Sequence, residues 1–400
     1  MRDPATNGKA EMNYNMKAPG PVEFEVRSLY ETFLTVKDRR KARGKRYEVA
    51  TMLTLSVLAK LGGEDTPEGM AEWAKLRAEM LRASLGIKRL TMPHAVTYRR
   101  VFGQAVDIQE VEQVIGLFFT RCQAASDQLA IDGKTLRGTI EAGQTHGMHL
   151  LAVYAVEAGV VLNQVNVELK ENEISAAPRV LAQVEVKGKV VTGDAMFTQR
   201  DLSRQIVEAG GHYVWKVKDN QPTLRADIER LFGPEKVPLG SAPLRTDFQS
   251  ITTTTKGHGR VETRTLTASA LLNPTSDWPS LGQVFRLVRH VRHFPTGKTT
   301  HEILYGITSL PMTSASPQRL LDLTRHHWAI ENKLHYCRDV IFHEDACDLA
   351  LGHAAQTIAL LNNLVLGLLR VRGFTAITSA RRRFNAFPAE ALALVLYALS

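Results

Sequence analysis

The sequence predicts a mixed α/β protein: one α/β block, interrupted by a β-rich stretch and flanked on both sides by helices. Three observations carry this. Between Gln128 and about Asn220, short apolar runs and amphipathic stretches follow one another in the order β-β-β-α-β-α-β. From Val26 to about Val114, and again after Ser316, apolar residues recur at helical spacing. Residues 224–312 are instead rich in Thr and Val and alternate in polarity, as strands do. At 400 residues the chain is long enough for two or three domains.

Residues 1–25 are polar, with Pro and Gly, and read as a mobile tail. Residues 26–120 form a helical N-terminal unit. Within it "YEVATMLTLSVLAKLGG" ends on glycines, and "TPEGMAEWAKLRAEMLRASLG" opens with Thr66 as N-cap and Pro67 at the first helical position. Residues 121–223 hold the first part of the α/β block. "QLAID" is a short strand ending in Asp132, "HLLAVYAVEAG" and "VVLNQVNVELK" are joined by the turn signal Ala158-Gly159, and "GKVVTGDA" is a buried strand ending in Asp194. "FTQRDLSRQIVEAGG" is an amphipathic helix closed by Gly210, and "HYVWKVKDN" is the last strand of the block. The β-rich insertion occupies 224–312, and residues 313–400 return to helix from the cap Ser316-Pro317.

A net charge of +9 favours a polyanionic partner, nucleic acid first, over a merely basic enzyme surface. Three cysteines (Cys122, Cys337 and Cys347) without paired-ligand spacing argue against a disulfide framework or a zinc ribbon and suit a reducing compartment. The N-terminus lacks an apolar signal region, and the apolar run "TIALLNNLVLGLLR" (357–370) is too short to span a bilayer. The expectation is a cytoplasmic protein without a membrane segment. The basic run "KDRRKARGKR" (37–46), with Arg39, Arg40 and Arg43, is either a phosphate-contacting surface or a solvated helix end.

An acid at the end of a buried strand costs desolvation unless something binds it. Asp132 and Asp194 both take such positions, at the strand edge where α/β sheets tend to hold ligands. Two carboxylates brought together suit Mg²⁺ or Mn²⁺, and a pair of such ions supports phosphodiester cleavage. The stretch "HWAIENKLHYCRDVIFHED" (327–345) offers four candidates for a third acid: Glu331, Asp339, Glu344 and Asp345. On a regular α-helix Glu331 shares a face with His327, Trp328, Leu334, His335 and Arg338, whereas Asp339 is rotated from it by roughly 80°. The same spacing leaves open a His327–Glu331–His335 metal site, or a polar helix face with no ligand.

At this point the chain resembles the DDE insertion-sequence transposases of the ISAs-one type, the branch that includes the H-repeat-associated proteins. The matching words are "MPHAVTYRRVF", "AIDGKTLRG", "ELKENEI", "VVTGDAMFTQ", "YVWKVKDNQPTL", "HGRVETR" and "RHHWAIENKLHYCRDVIFHED", in that order. The resemblance implies a ribonuclease-H-like catalytic core split by a β-rich insertion. It also implies two-ion Mg²⁺ catalysis, with Mn²⁺ able to substitute, of DNA cleavage and strand transfer at transposon ends. Asp132, Asp194 and Glu331 then carry over as the catalytic metal ligands.

The wider group places a tyrosine, an arginine and a lysine around the glutamate. Here Thr324, His327 and Arg338 stand at those positions, so only a cation at Arg338 is kept and Arg325 is left to supply the other charge. Arg338, Arg325, Lys216, Lys218 and the basic run with Arg39, Arg40 and Arg43 are the expected DNA contacts. Trp328 matches a position that helps displace a base near the cleavage point, against the alternative of a core aromatic; Trp278 is a second stacking candidate, or a turn residue. Glu173 either supports the metal site or serves as an acid at a helix N-terminus. The expected partners are transposon-end and target DNA, with a homodimer in the DNA complex and association with the nucleoid when bound. A domesticated DNA-binding protein that no longer transposes, or a metal nuclease without strand transfer, would carry the same residues.

Overall fold

In a computed structural model the protein is described for residues 28–122, 126–233, 247–257, 259–347, 349 and 352–397. The expected tail at 1–25 lies outside the described residues. Nine strands form one mixed sheet: β1 (Gln128–Thr135), β2 (His149–Ala155), β3 (Val160–Val167), β4 (Val190–Gly193), β5 (His212–Val217), β6 (Gln249–Gly257), β7 (Arg260–Ser269), β8 (Gln283–His293) and β9 (Thr299–Thr308). Their spatial order is β3-β2-β1-β4-β5-β9-β8-β7-β6. β1, β2 and β3 are antiparallel neighbours, β4 lies parallel to β1 and to β5, and β9 returns antiparallel to β5.

The β-rich segment is therefore no separate unit. β9 pairs with β5 on one side and β8 on the other, so β6 to β9 continue the same sheet. The expected boundary at 224 also cuts through a helix, Pro222–Phe232, whose proline at the first helical position starts it and whose Leu224, Ile228 and Phe232 form its buried stripe.

Among the described residues six α-helices precede the sheet: α1 (Leu29–Leu34), α2 (Val49–Leu61), α3 (Pro67–Leu76), α4 (Ala78–Leu85), α5 (Ala95–Arg100) and α6 (Ile108–Arg121). α1 starts at a capping box formed by Ser28 and Glu31, and Thr66 caps α3 through the Gly69 N–H. Within the α/β block lie α7 (Glu173–Leu181), α8 (Arg200–Glu208) and α9 (Pro222–Phe232). After the sheet come α10 (Pro317–His326), α11 (Tyr336–Val340), α12 (Ala354–Val371), α13 (Ile377–Ala386) and α14 (Pro388–Leu396).

Two helices are buried on nearly every side. All thirteen residues of α2 are buried. α12 is long and apolar enough to cross a membrane, longer than the expected apolar run, but 89% of it is buried inside the protein, where it serves as a core helix. α12 packs against β3, α6 and α2, so the N-terminal helices and the sheet share one core. α6 lies so close to β3 that a side chain at Gly116 would strike the Leu162 carbonyl. A smaller core joins Leu320, Leu321 and Leu323 of α10 to Leu266, Phe285 and Leu287 of the β-rich strands. The β-rich segment thus buttresses the helix that leads into Glu331.

A buried polar chain crosses the main core. Glu112 of α6 accepts from Gln164 Nε2 of β3, and the Gln164 carbonyl oxygen accepts from Arg338 Nη1 and Asn363 Nδ2. Arg338 donates to Glu344, which also accepts from Asn362, and the Asn362 oxygen accepts from Lys60 Nζ of α2. Burial pushes the Glu112 carboxyl up to about 8, although Arg338 opposes the shift. Folded Glu112 keeps its proton up to that pH, whereas the unfolded chain releases it near its ordinary 4.5. Its contribution is complete below the unfolded value and lost as pH rises through the folded one. Glu112→Gln, which keeps the acceptor without the charge, should therefore gain stability over the wild type between pH 5 and 9, by on the order of 1–3 kcal/mol, as read from urea midpoints across that range.

Candidate active site

The site forms where β1, β4 and the helix after β9 meet. The apolar part of β1 ends at Ile131, and Asp132 lies mid-strand, half-buried, opposite Ala152 of β2. β4 is shorter and stops at Gly193, leaving Asp194 just past its end. The parallel register pairs Ala130 with Thr192, so two residues further on Asp132 and Asp194 reach the same level of adjacent strands. Gln128, wholly buried, ties the third element to these two: its Nε2 donates to Thr192 Oγ1 of β4 (3.0 Å) and to the Leu323 carbonyl of α10 (2.8 Å).

The stretch from His327 to Val340 is not the single regular α-helix that the phase argument assumes. After α10 the chain passes through a π-helical segment, Ile330–His335, before α11. Its signature is the Tyr336 N–H donating to the Glu331 carbonyl five residues back. The widened turn shifts every later residue around the axis relative to Glu331. Arg338 consequently does not share the face of Glu331. Its side chain is fully buried and bonded to Glu344, with Nη2 at 2.7 Å, which removes it from the expected DNA contacts. Burial alone would raise Glu344, but the Arg338 guanidinium and Asn362 hold it below its ordinary value.

The structure also separates the four acids. Glu344 is committed to Arg338. Asp339 pairs with Lys134 Nζ at 2.6 Å, and Asp345 accepts from the Arg137 N–H and lies 3.7 Å from Lys134. Glu331 alone of the four makes no ion pair among the described residues, and it is exposed. Ligand atoms of Asp132, Glu331 and His335 lie within 4.8 Å of one another. The donor set, two carboxylates and an imidazole, fits a divalent cation. His327 does not belong to this group, so the His327–Glu331–His335 alternative is not what the fold assembles.

Asp194 has different company. Lys216 of β5 reaches it with Nζ 2.7 Å from Oδ1, and His327 Nε2 lies 3.7 Å from the same oxygen. His327 and then Lys216 hold the Asp194 carboxyl well below the usual carboxylate range, against partial burial that would raise it. Lys216 is itself only 9% exposed, and its ammonium sits 5.4 Å from the Trp328 ring centroid. It is a residue of the carboxylate cluster rather than a free surface cation, whereas Lys218 beyond the end of β5 is exposed. Trp328 is 57% exposed, beside the acids, and is no core aromatic. Trp278, in contrast, is buried with Arg200 over its ring and has no surface for stacking.

Gly133 explains part of the "AIDGKTLRG" word. A side chain there would lie 2.5 Å from both the Glu173 carboxylate and His149 Nε2. Glu173 thus packs over the backbone next to Asp132, bonded to His149 (2.9 Å), which in turn meets Thr135 Oγ1 (2.8 Å). Glu173 is also the first residue of α7, where an acid suits the helix N-terminus. The basic run is divided. Arg40 folds inward onto Asp38 and the Tyr47 carbonyl and is not a free phosphate contact. Arg39 pairs with Asp107 but stays half-exposed, and Arg43 and Arg325 are exposed.

Comparison with known proteins bears on what this cluster is. Residues 123–368 match the family model described as "Transposase DDE domain", which covers more than half of the chain. The chain belongs to the DDE transposase family. Residues 30–119 match the family model described as "DDE_Tnp_1-associated". Among curated relatives, "H repeat-associated putative transposase YhhI" of Escherichia coli K12 is 27% identical over 355 residues, which is 86% of this chain and 91% of the relative. "Putative transposase YncI" of Escherichia coli O157:H7 is 30% identical over 358 residues, 87% and 88% of the two chains. A cryo-EM structure of a piggyBac transposase synaptic complex with hairpin DNA aligns at a TM-score of 0.43 and 11% identity over 92% of this chain and 76% of that one, too loose a likeness to bear on the site. As a DDE transposase the protein is an enzyme of DNA cutting and strand transfer.

The two aromatic and cationic positions separate by stability. Arg338→Ala leaves Glu344 buried without its counter-charge and should cost about 3–5 kcal/mol. Trp328→Ala should cost about 1 kcal/mol or less, because little more than a cation–π contact is lost. Urea unfolding of both variants at neutral pH measures the contrast.

Proposed function

We propose that the protein binds transposon-end DNA across the edge carrying Asp132, Asp194 and Glu331 and cleaves and joins it with divalent ions held by these three carboxylates. The observation that carries the reading is the convergence of Asp132 and Glu331, 199 positions apart in sequence, on one exposed edge of the sheet, in a chain of this family. The strand order β3-β2-β1-β4-β5, with only the first three strands antiparallel to one another, supports a ribonuclease-H-like core.

Mg²⁺, or Mn²⁺ in its place, would when bound in a pair activate the attacking hydroxyl and stabilise the leaving oxygen. The chain's own residues do the rest. Asp132 is held in register by β2, Gln128 fixes α10 against β1 and β4, and the π-helical turn presents Glu331 outward. Lys216 neutralises Asp194 and, with Trp328, forms a cationic and aromatic rim on which an unstacked base can rest. Lys218, Arg325, Arg39 and Arg43, all with exposed side chains, are the remaining phosphate contacts in this reading. Two ends must be brought together, which favours a homodimer on DNA, working in the cytoplasm at the nucleoid.

Asp132→Asn, Asp194→Asn and Glu331→Gln should each lower Mg²⁺-dependent cleavage of end-containing DNA by about 1,000-fold or more, while DNA retention in a gel-shift assay largely survives. Denaturing gels read the cleavage, and a pre-cleaved end with target DNA reads joining. Full cleavage by Glu331→Gln would remove that residue from the chemistry.

A further inference from the structure

We infer that His335 is a nitrogen ligand of the ion held by Asp132 and Glu331, which makes this half of the site a mixed-donor centre biased toward first-row transition ions over Mg²⁺. The inference rests on the carboxylate metal site proposed above and adds a donor that the three-acid pattern does not contain.

Burial and geometry argue for it together. The His335 side chain is only 7% exposed, yet among the described residues neither Nδ1 nor Nε2 has a hydrogen-bond partner. Sealing an imidazole away from water with both nitrogens unanswered costs free energy that a bound partner would offset. Nε2 lies 3.3 Å from Asp132 Oδ2, and a ring nitrogen lies within 4.8 Å of a Glu331 oxygen. Two neighbouring donors on one octahedral ion stand roughly 3 Å apart, close to the separation found. The Nε2 contact with Asp132 Oδ2 is not a hydrogen bond, so among the described residues no hydrogen bond fixes which ring nitrogen carries the proton.

Glu331 and His335 are the second and last residues of the π-helical segment, and both side chains reach Asp132. His327, eight residues earlier, belongs instead to Asp194 and Thr192. The two aspartates therefore have unlike surroundings: Asp132 sits with a second acid and an imidazole that makes no hydrogen bond among the described residues, and Asp194 with an ammonium and an imidazole whose Nδ1 meets Thr192. An all-oxygen site suits Mg²⁺, whereas imidazole suits transition metals.

The test is Mn²⁺ binding to the full chain, followed by pulsed electron paramagnetic resonance for nitrogen coupling to the ion, with Mg²⁺ affinity measured by competition. The expected result is ¹⁴N modulation in the wild type that is retained in His327→Gln and lost in His335→Gln. His335→Gln should also weaken Mn²⁺ at least about tenfold and Mg²⁺ less. The wild-type spectrum needs no variant to fold, and thermal melts check that the variants do. Absence of nitrogen coupling in wild type, with Mn²⁺ binding still abolished by Asp132→Asn, overturns the role of His335 and leaves the carboxylate site standing. Coupling that survives His335→Gln overturns it as well. Unchanged Mn²⁺ binding by Asp132→Asn overturns both this inference and the metal reading beneath it.

Discussion

A guanidinium with no access to water must be answered by a fixed anion, and the Arg338–Glu344 pair is where this molecule meets that demand. Much of the site's geometry follows. Arg338 faces inward beyond a π-helical segment that re-phases the helix after Glu331. Once it faces inward, Gln164, Asn362 and Asn363 complete its shell and that of Glu344, joining β3 and α12 to the turn after the helix. Lys60 extends the chain to α2, and Arg381 closes it by bonding the Lys60 carbonyl and Asp65. Helices from both ends of the sequence are locked to the segment carrying Glu331.

The second fixing point is Gln128. One side-chain amide touches β4 and α10 while its own backbone belongs to β1, so the elements leading to all three acids meet at a single buried residue. The β-rich strands act from the other side by giving α10 an apolar floor at Leu266, Phe285 and Leu287. An insertion before the glutamate is thereby a structural support for it, because the sheet is continuous from β5 through β9. Rigid placement of this kind is what metal-ligand chemistry requires, since small displacements of a ligand change both affinity and rate.

Much of the α/β block is legible in the residue pattern. Alternating and continuous apolar runs gave the β-β-β-α-β-α-β order, and caps such as Thr66 and Ser316 marked helix starts that the structure keeps. Asp194 follows the end of β4 as its apolar run implies, but β1 continues past Asp132 to Thr135 because the strand is held by β2 beyond its apolar part; the parallel register of β1 and β4 still brings the two acids to one level. Arg338 leaves the face that a period of 3.6 predicts because the segment after Ile330 does not have that period. The π-helical turn leaves no clear mark in residue types, so helix phase past Ile330 could not be obtained from spacing. The partners of Lys216 and Arg40 leave no mark in spacing either: a cation in a basic protein looks free until its partner, Asp194 or Asp38, is placed beside it.

By itself the sequence determined the element order, the sharing of one sheet edge by Asp132 and Asp194, and a set of local words specific enough to indicate the family. These depend on short-range patterns, which the chain carries in full. Tertiary structure alone decided that Glu331 is the uncommitted acid of its cluster, that Arg338 is internal, and that His335 lies against Asp132. Each of those outcomes depends on which groups are removed from water together across long sequence separations, and periodicity holds no record of that.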